Sequence, residues 1–191
     1  EALKNALREA PDVIMIGEIR DRNTMKQAIA YAETGHLCLS TLHANNANQA
    51  MERVINFFPE EAHRQLLVDL SLNLAGVVSQ RLIPGLHEKL VPAVEVMLNS
   101  SYISDLIAKG EFSGIKEAMA RSTEIGMCTF DQALYQLYTE DRISLDEALH
   151  NADSRTDLAL RIRLAAGVST QDAGDLSIDT SSPIQSAARL A

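Results

Sequence analysis

The sequence predicts an α/β fold in which parallel strands are joined by crossover helices and followed by a small all-helical region. An uninterrupted apolar run lies between Pro11 and Gly17, and a second run follows a segment of helical periodicity. A strand, a crossover helix and a second strand form a βαβ unit, in which the two strands run parallel. Beyond Ser100 the apolar residues recur only in short helical patterns, which predicts the helical region.

The first strand is predicted from the run Val13-Ile14-Met15-Ile16. Such a run is typical of a strand buried on both faces; periodicity alone does not exclude a buried helix, but Pro11 and Gly17 limit the run to strand length. Gly17 and Glu18 follow at the carboxyl end of the strand, where open α/β sheets bind their ligands. Gly17 would let the backbone approach a ligand closely, and Glu18 would orient a water molecule or a metal-bound ligand. The alternative is that Glu18 caps the next helix.

The next segment predicts a helix from Asn23 to Thr34, because its apolar residues recur at helical spacing. Asp21 or Asn23 would cap the start of this helix, and Gly35 would end it. A second buried strand is predicted over residues 36–42. Because the two strands should be parallel, the second strand would bring His43 to the same edge of the sheet as Glu18.

Further elements are predicted from capping residues and apolar spacing. Asn45 or Asn46 would cap a helix that ends at Pro59, and a second helix would continue to about Ser79. Two short strands are predicted at residues 82–85 and 90–98. Within the helical region, capping boxes are predicted at Thr129 with Gln132 and at Ser144 with Glu147, and the last helix covers 155–164.

The composition excludes several classes of function. A net charge of −9 argues against a nucleic-acid-binding surface. Cys38 and Cys128 are too far apart to suggest a disulfide framework or a zinc module, so we interpret the first as a core residue and the second as a free thiol near a helix start. No run of about 18 apolar residues is present, which predicts that nothing spans a membrane.

His43 is the second candidate functional residue. At a strand end beside Glu18, it would donate a hydrogen bond to a terminal phosphate, although a lone histidine there is more often structural. A metal site formed with His36 is disfavoured, because seven strand residues span roughly 23 Å and an odd separation places side chains on opposite faces. We interpret His36 as a hinge, core or subunit-contact residue. Arg20 would form a local ion pair or a subunit contact.

Two segments resemble the ATPases of type II secretion and type IV pili (GspE/PilT-like). The segment from Leu7 to Asp21 is similar to their Walker B signature, and the segment from Thr34 to Asn45 is similar to their histidine box. The resemblance implies part of a RecA-like P-loop NTPase domain, with ATP and Mg²⁺ as cofactors. In that family Glu18 would polarise the attacking water, and Gly17, Glu18 and His43 would face the nucleotide. Gly17 replaces the usual Walker B Asp, so Mg²⁺ would be held partly from elsewhere.

Within this family, the segments 33–61 and 121–134 resemble the twitching-motility ATPases, and most of all the PilU-type accessory retraction motors. The resemblance implies a cytoplasmic ATPase at the inner membrane, acting as a homo-hexamer or with a paralogous retraction ATPase and contacting an inner-membrane pilus platform protein. The resemblance covers about Leu3 to Leu164, so residues 1–99 would be the carboxyl-terminal half of the ATPase core and residues 100–166 a helical subdomain. Residues 167–191 are rich in Ser, Thr, Asp, Gly and Ala without a sustained apolar face, which predicts a mostly disordered tail.

The phosphate-binding loop G-x-x-x-x-G-K-[ST] occurs nowhere in the 191 residues. The family carries this loop before the segment that corresponds to Glu1, so we expect a carboxyl-terminal fragment that holds half of an ATP site and is inactive alone. Two alternatives remain open. One is a secretion or pilus-assembly ATPase of the same family, and the other is a non-catalytic interaction module that keeps the fold.

Overall fold

The computed structural model describes residues 11–167, which form four strands, eight α-helices and two short 3₁₀ turns. The spacing of Ala2, Leu3, Ala6 and Leu7 predicts a helix over Glu1 to Glu9. This helix and the predicted disordered tail, apart from Gly167, lie outside the described residues. Among residues 11–167, no helix combines the length and apolar character needed to cross a membrane. In chain order the elements are β1 (Val13–Glu18), α1 (Arg22–Glu33), β2 (Leu37–Thr41), α2 (Ala47–Asn56), α3 (Glu60–Asn73), β3 (Gly76–Pro84), β4 (Leu90–Leu98), α4 (Ser101–Lys109), α5 (Ile115–Arg121), α6 (Phe130–Thr139), α7 (Leu145–Asn151) and α8 (Arg155–Ala165).

Strands β1 and β2 pair in parallel, as the βαβ prediction requires. The prediction that both strands are buried on both faces is wrong for the described residues. Ile14 and Ile16 are buried against α1, whereas Val13 and Met15 are 50% and 75% exposed. The reason is that the described helices cover one face of the sheet only. On the other face β2 exposes Leu37 and Leu39, whereas Cys38 packs partly buried against the core.

Local capping residues set the helix boundaries near the predicted positions. The Asp21 carboxylate accepts a hydrogen bond from the Thr24 backbone N–H at 2.9 Å and so caps α1. Gly35 follows the helix with a φ of +90°, a conformation that glycine adopts without strain. The Asn46 side chain caps α2 by accepting a hydrogen bond from the Gln49 backbone N–H at 2.9 Å.

The predicted extension of the third helix to Ser79 is wrong, because α3 ends at Asn73 and the chain enters β3 at Gly76. The backbone of Gly76 lies so close to β4 that an added Cβ would meet the Met97 carbonyl oxygen at 2.7 Å. Val77 lies in a strand and not in a helix, but its side chain still packs against the core. For this reason the helical spacing of apolar residues in the sequence continues beyond the end of α3. Strands β3 and β4 form an antiparallel hairpin of nine paired positions.

The hairpin contributes side chains to two apolar cores. Met97 lies in the core beneath the β1–β2 sheet, whereas Ile83 and Val91 pack with the helical region. The capping box at Thr129 is confirmed, because both of its hydrogen bonds to Gln132 are present. The division of the chain at residue 99 stays a prediction; across it, the hairpin and α6–α8 share one buried cluster.

Candidate active site

The candidate site begins with an irregularity at the end of β1. The pairing register moves from Ile16 opposite Ser40 to Glu18 opposite Thr41, which leaves Gly17 as the extra residue of a β-bulge. The Thr41 hydroxyl donates a hydrogen bond of 2.6 Å to the Gly17 carbonyl oxygen and holds the bulge in place. A Cβ added at Gly17 would meet nothing within 4 Å in this structure. Space is therefore open beside the backbone where the sequence predicts a ligand.

Glu18 and His43 lie in contact at the carboxyl ends of the two parallel strands. The Nε2 atom of His43 is 2.8 Å from the Oε1 atom of Glu18. The Glu18 side chain is only 20% exposed, whereas the His43 side chain is 76% exposed and projects from the rim. The parallel βαβ topology brings together an acid and an imidazole that are 25 positions apart in the chain.

Arg20 occupies the other oxygen of the Glu18 carboxylate. Its Nε donates a hydrogen bond of 2.6 Å to Oε2, which is the local ion pair that the sequence suggested. This hydrogen bond is the main cause that holds the pKa of Glu18 below its usual range; burial acts in the opposite direction, and the charges of Arg20, His43 and Arg53 lower the pKa further. Glu18 is therefore ionised at neutral pH, as a group that orients a water molecule must be.

His36 lies at the other end of β2 and has no part in this site. Its Nδ1 is 2.9 Å from the Thr34 hydroxyl and 3.2 Å from the Tyr31 carbonyl oxygen, and its ring meets the Tyr31 ring edge to face. These contacts fix the turn between α1 and β2. The structure does not bring His36 and His43 together, so they share no metal site.

The described residues alone do not make a magnesium site. No group of three or more His, Cys, Asp or Glu side chains within residues 11–167 has the arrangement of a metal site. The two oxygens of the Glu18 carboxylate contact Arg20 and His43. One carboxylate falls far short of the octahedral set of oxygen ligands that Mg²⁺ prefers.

Two polar residues that the sequence analysis missed lie beneath the segment that follows His43. Glu95 on β4 is only 3% exposed, and Arg81 on β3 is partly buried. A signal for Glu95 was present, because the alternation of β4 places it on the same face as the buried Ala93 and Met97. A charged residue on the buried face of a strand requires partners.

Comparison with known proteins decides the family. The family model described as "Type II/IV secretion system protein" matches residues 1–159. The chain belongs to this family. The family predicted from the segments Leu7 to Asp21 and Thr34 to Asn45 is thereby confirmed.

Sequence identity to two members of the type II/IV secretion system family shows which of its members the chain resembles. It is 59% identical to the type IV pilus ATPase PilU of Pseudomonas aeruginosa over 177 residues, which cover 92% of this chain and 46% of PilU. Identity to the retraction ATPase PilT of the same organism is 38% over 152 residues, covering 80% of this chain and 44% of PilT. The predicted likeness to PilU is confirmed. The chain spans about half the length of these relatives.

A solved structure supports the α/β fold class. The crystal structure of the pilus retraction motor PilT with bound ADP has a TM-score of 0.74 and 35% sequence identity to this chain, covering 83% of this chain and 45% of PilT. The predicted fold class is therefore confirmed for this member of the type II/IV secretion system family.

Proposed function

We propose that the protein that carries this chain is an ATP-hydrolysing motor subunit of the type IV pilus machinery, acting as an accessory retraction ATPase in twitching motility. The chain would contribute Gly17, Glu18 and His43 to the nucleotide site. The observation that carries the proposal is the contact of 2.8 Å between Glu18 and His43 at the carboxyl ends of parallel strands. The names of PilU and PilT, and the ADP bound to PilT, support the assignment.

In the proposed reaction, the ionised Glu18 carboxylate accepts a hydrogen bond from a water molecule and orients it towards the terminal phosphorus. The water oxygen forms a bond to that phosphorus, the bond to the bridging oxygen breaks, and ADP leaves with the electron pair. One water proton stays on the oxygen that becomes part of the released phosphate, and the other is released to solvent. Mg²⁺, when bound with the nucleotide, neutralises phosphate charge; its remaining ligands would come from outside the described residues.

His43 would report whether the terminal phosphate is present. Its Nε2 lies 2.8 Å from the Oε1 atom of Glu18 in this structure, and the same nitrogen would donate a hydrogen bond to a phosphate oxygen when ATP is bound. The imidazole nitrogen does not serve both acceptors at once. Binding of ATP would therefore draw His43 away from Glu18 and leave Oε1 free for the attacking water.

We also infer the assembly and location from the family. The motor would be cytoplasmic and peripheral at the inner membrane, as a homo-hexamer or with a paralogous retraction ATPase, and would contact the inner-membrane platform protein of the pilus. Residues 100–166 would form a subdomain that passes motion between the site and these partners. A net charge of −9 supports a partner other than nucleic acid.

The substitution Glu18→Gln in the whole protein tests this function. It keeps the shape of the side chain but removes the charge that orients water, so we expect ATP binding to be retained and turnover to fall by roughly 10²-fold or more. Binding of a fluorescent ATP analogue and steady-state phosphate release measure the two effects. Glu33→Gln, on an exposed glutamate at the end of α1, is the matched control and should leave both unchanged. Unchanged turnover in Glu18→Gln would remove Glu18 from the reaction.

A further inference from the structure

The β3–β4 hairpin carries two charged side chains that each contact both the segment after His43 and the helical region. We call Arg81 and Glu95 the hairpin latch. Both lie between residues 45–47 on one side and residues 130–153 on the other. The contacts of the latch connect parts of the chain that are distant in sequence.

The Glu95 carboxylate binds the first turns of two helices. Its Oε1 accepts a hydrogen bond of 2.8 Å from the Ala47 backbone N–H. The Phe130 backbone N–H lies near enough to the carboxylate to lower the pKa of Glu95. Ala47 and Phe130 are the first residues of α2 and α6, where backbone N–H groups lack a partner within the helix. A carboxylate is favoured at both positions by the helix dipole. Glu95 thereby fixes the starts of α2 and α6 to the same point.

The Arg81 guanidinium makes a parallel set of contacts. Its Nη2 donates hydrogen bonds to the Asn45 carbonyl oxygen at 3.3 Å and to the Asp153 carboxylate at 2.7 Å. Its Nη1 donates to the Asn151 carbonyl oxygen at 2.9 Å, and the guanidinium carbon lies 3.9 Å from the centre of the Phe130 ring. Asn45 is two residues from His43, so Arg81 joins the rim of the site to the end of α7.

Charge and burial make these contacts costly to break. Burial is the main cause that raises the pKa of Glu95, and the charge of Asp153 also raises it, while the Ala47 and Phe130 backbone N–H groups and Arg81 oppose that rise. A buried charge that loses its partners destabilises the structure far more than an exposed one. When the helical region moves, the free-energy cost of breaking contacts to Arg81 and Glu95 is smallest if residues 45–47 move with it.

We propose that Arg81 and Glu95 are positioning residues that couple the placement of His43 to the helical region. A displacement of α6 or of the segment around Asp153 shifts residues 45–47, and with them the imidazole at the rim. The coupling itself is independent of the proposed function, whereas its effect on ATP turnover rests on that function.

Asp153→Ala in the whole protein tests the coupling. Asp153 contacts Arg81 and Lys116 but no residue of the segment 43–50. We expect amide hydrogen exchange in residues 44–50, measured by mass spectrometry, to rise about threefold to tenfold. In an Arg81→Met background the same substitution should produce no further rise. If Asp153→Ala raises amide hydrogen exchange throughout the helical region, the measurement is made instead with Asp153→Asn, which keeps the side-chain volume.

Glu88→Gln is the matched control. Glu88 pairs with Arg142 at 2.9 Å and also joins the hairpin to the helical region, but at the exposed hairpin turn. Exchange in residues 44–50 should be unchanged in this variant. An unchanged exchange rate in the Asp153 variants, or an equal rise in Glu88→Gln, would overturn the coupling.

ATP turnover supplies the second readout. Glu95→Gln and Arg81→Met should each lower kcat about threefold to tenfold with little change in KM, and neither should lower kcat further when His43 is already replaced by Ala. Additive losses with His43→Ala, or unchanged kcat despite faster exchange, would show that the latch is merely structural. A wild-type protein that hydrolyses no ATP would refute the proposed function alone, because the exchange experiment still decides the coupling.

Discussion

Replacement of Leu134 by Ala tests whether the hairpin and the helical region unfold as one unit. Leu134 on α6 is fully buried in the cluster that also contains Ile83 and Val91 of the hairpin. Truncating a fully buried leucine costs about 3 to 4 kcal/mol through lost burial and the cavity that remains. Because both elements line this cluster, the loss should lower the free energy of opening in α6 and in the hairpin alike.

Native-state hydrogen exchange measures this effect at individual amides. We expect the free energy of opening to fall by about 3 kcal/mol both at α6 amides and at the paired amides near Ile83 and Val91. Leu164→Ala is the same chemical change at a side chain that is 59% exposed, and it should shift these values by no more than about 0.5 kcal/mol. A loss confined to α6, with the hairpin unaffected, would refute the reasoning and favour an independent helical subdomain that begins near residue 100.

Three further predictions concern the rim. Arg20 is the main cause of the lowered pKa of Glu18, so Glu18 stays ionised above this lowered pKa and loses its charge as the pH falls through it. In Arg20→Gln the pKa of Glu18 should rise, and the acid limb of the pH–kcat profile should therefore move to higher pH. An unmoved limb would show that Glu18 does not determine it. His43→Ala should weaken the link between nucleotide state and movement, so twitching should fall more than ATP binding; unaltered motility would remove His43 from the mechanism. In Gly17→Ala the added Cβ would meet no atom of this chain within 4 Å, so thermal stability should be retained. ATP turnover should fall, because the Cβ occupies the space left for the nucleotide. Equal turnover in Gly17→Ala and wild type would show that no nucleotide atom approaches Gly17.

Features governed by local signals could be predicted from the sequence. Asp21, Asn46 and Thr129 cap the helices that their side chains and following residues indicated. The contact between Glu18 and His43 could also be predicted, because parallel pairing of two adjacent strands fixes which ends meet. In each case the necessary information lies in a short segment of the sequence, or in the rule that two strands joined by a crossover helix run parallel.

Features that depend on distant packing could not be predicted in the same way. Met15 is apolar in a continuous run but 75% exposed, because no described helix covers its face of the sheet. The end of α3 depends on the close approach of Gly76 to Met97, a residue 21 positions later. Glu95 meets Ala47 across 48 positions of sequence. Apolar periodicity does not encode such pairings, because it reports which face is buried and not which element buries it.

The contacts of the Glu18 carboxylate explain why the rim would respond to nucleotide. Arg20 contacts one carboxylate oxygen and His43 contacts the other, so a water molecule at Oε1 shares that oxygen with His43 in this arrangement. Arg20 is two residues from Glu18 and contacts the carboxylate through both Nε and Nη2, whereas His43 follows a different strand and contacts it through Nε2 alone. A phosphate therefore has fewer contacts to replace at His43 than at Arg20. In the proposed function, Arg20 would keep Glu18 ionised while His43 moves, so that the attacking water is oriented only when the phosphate it attacks is present.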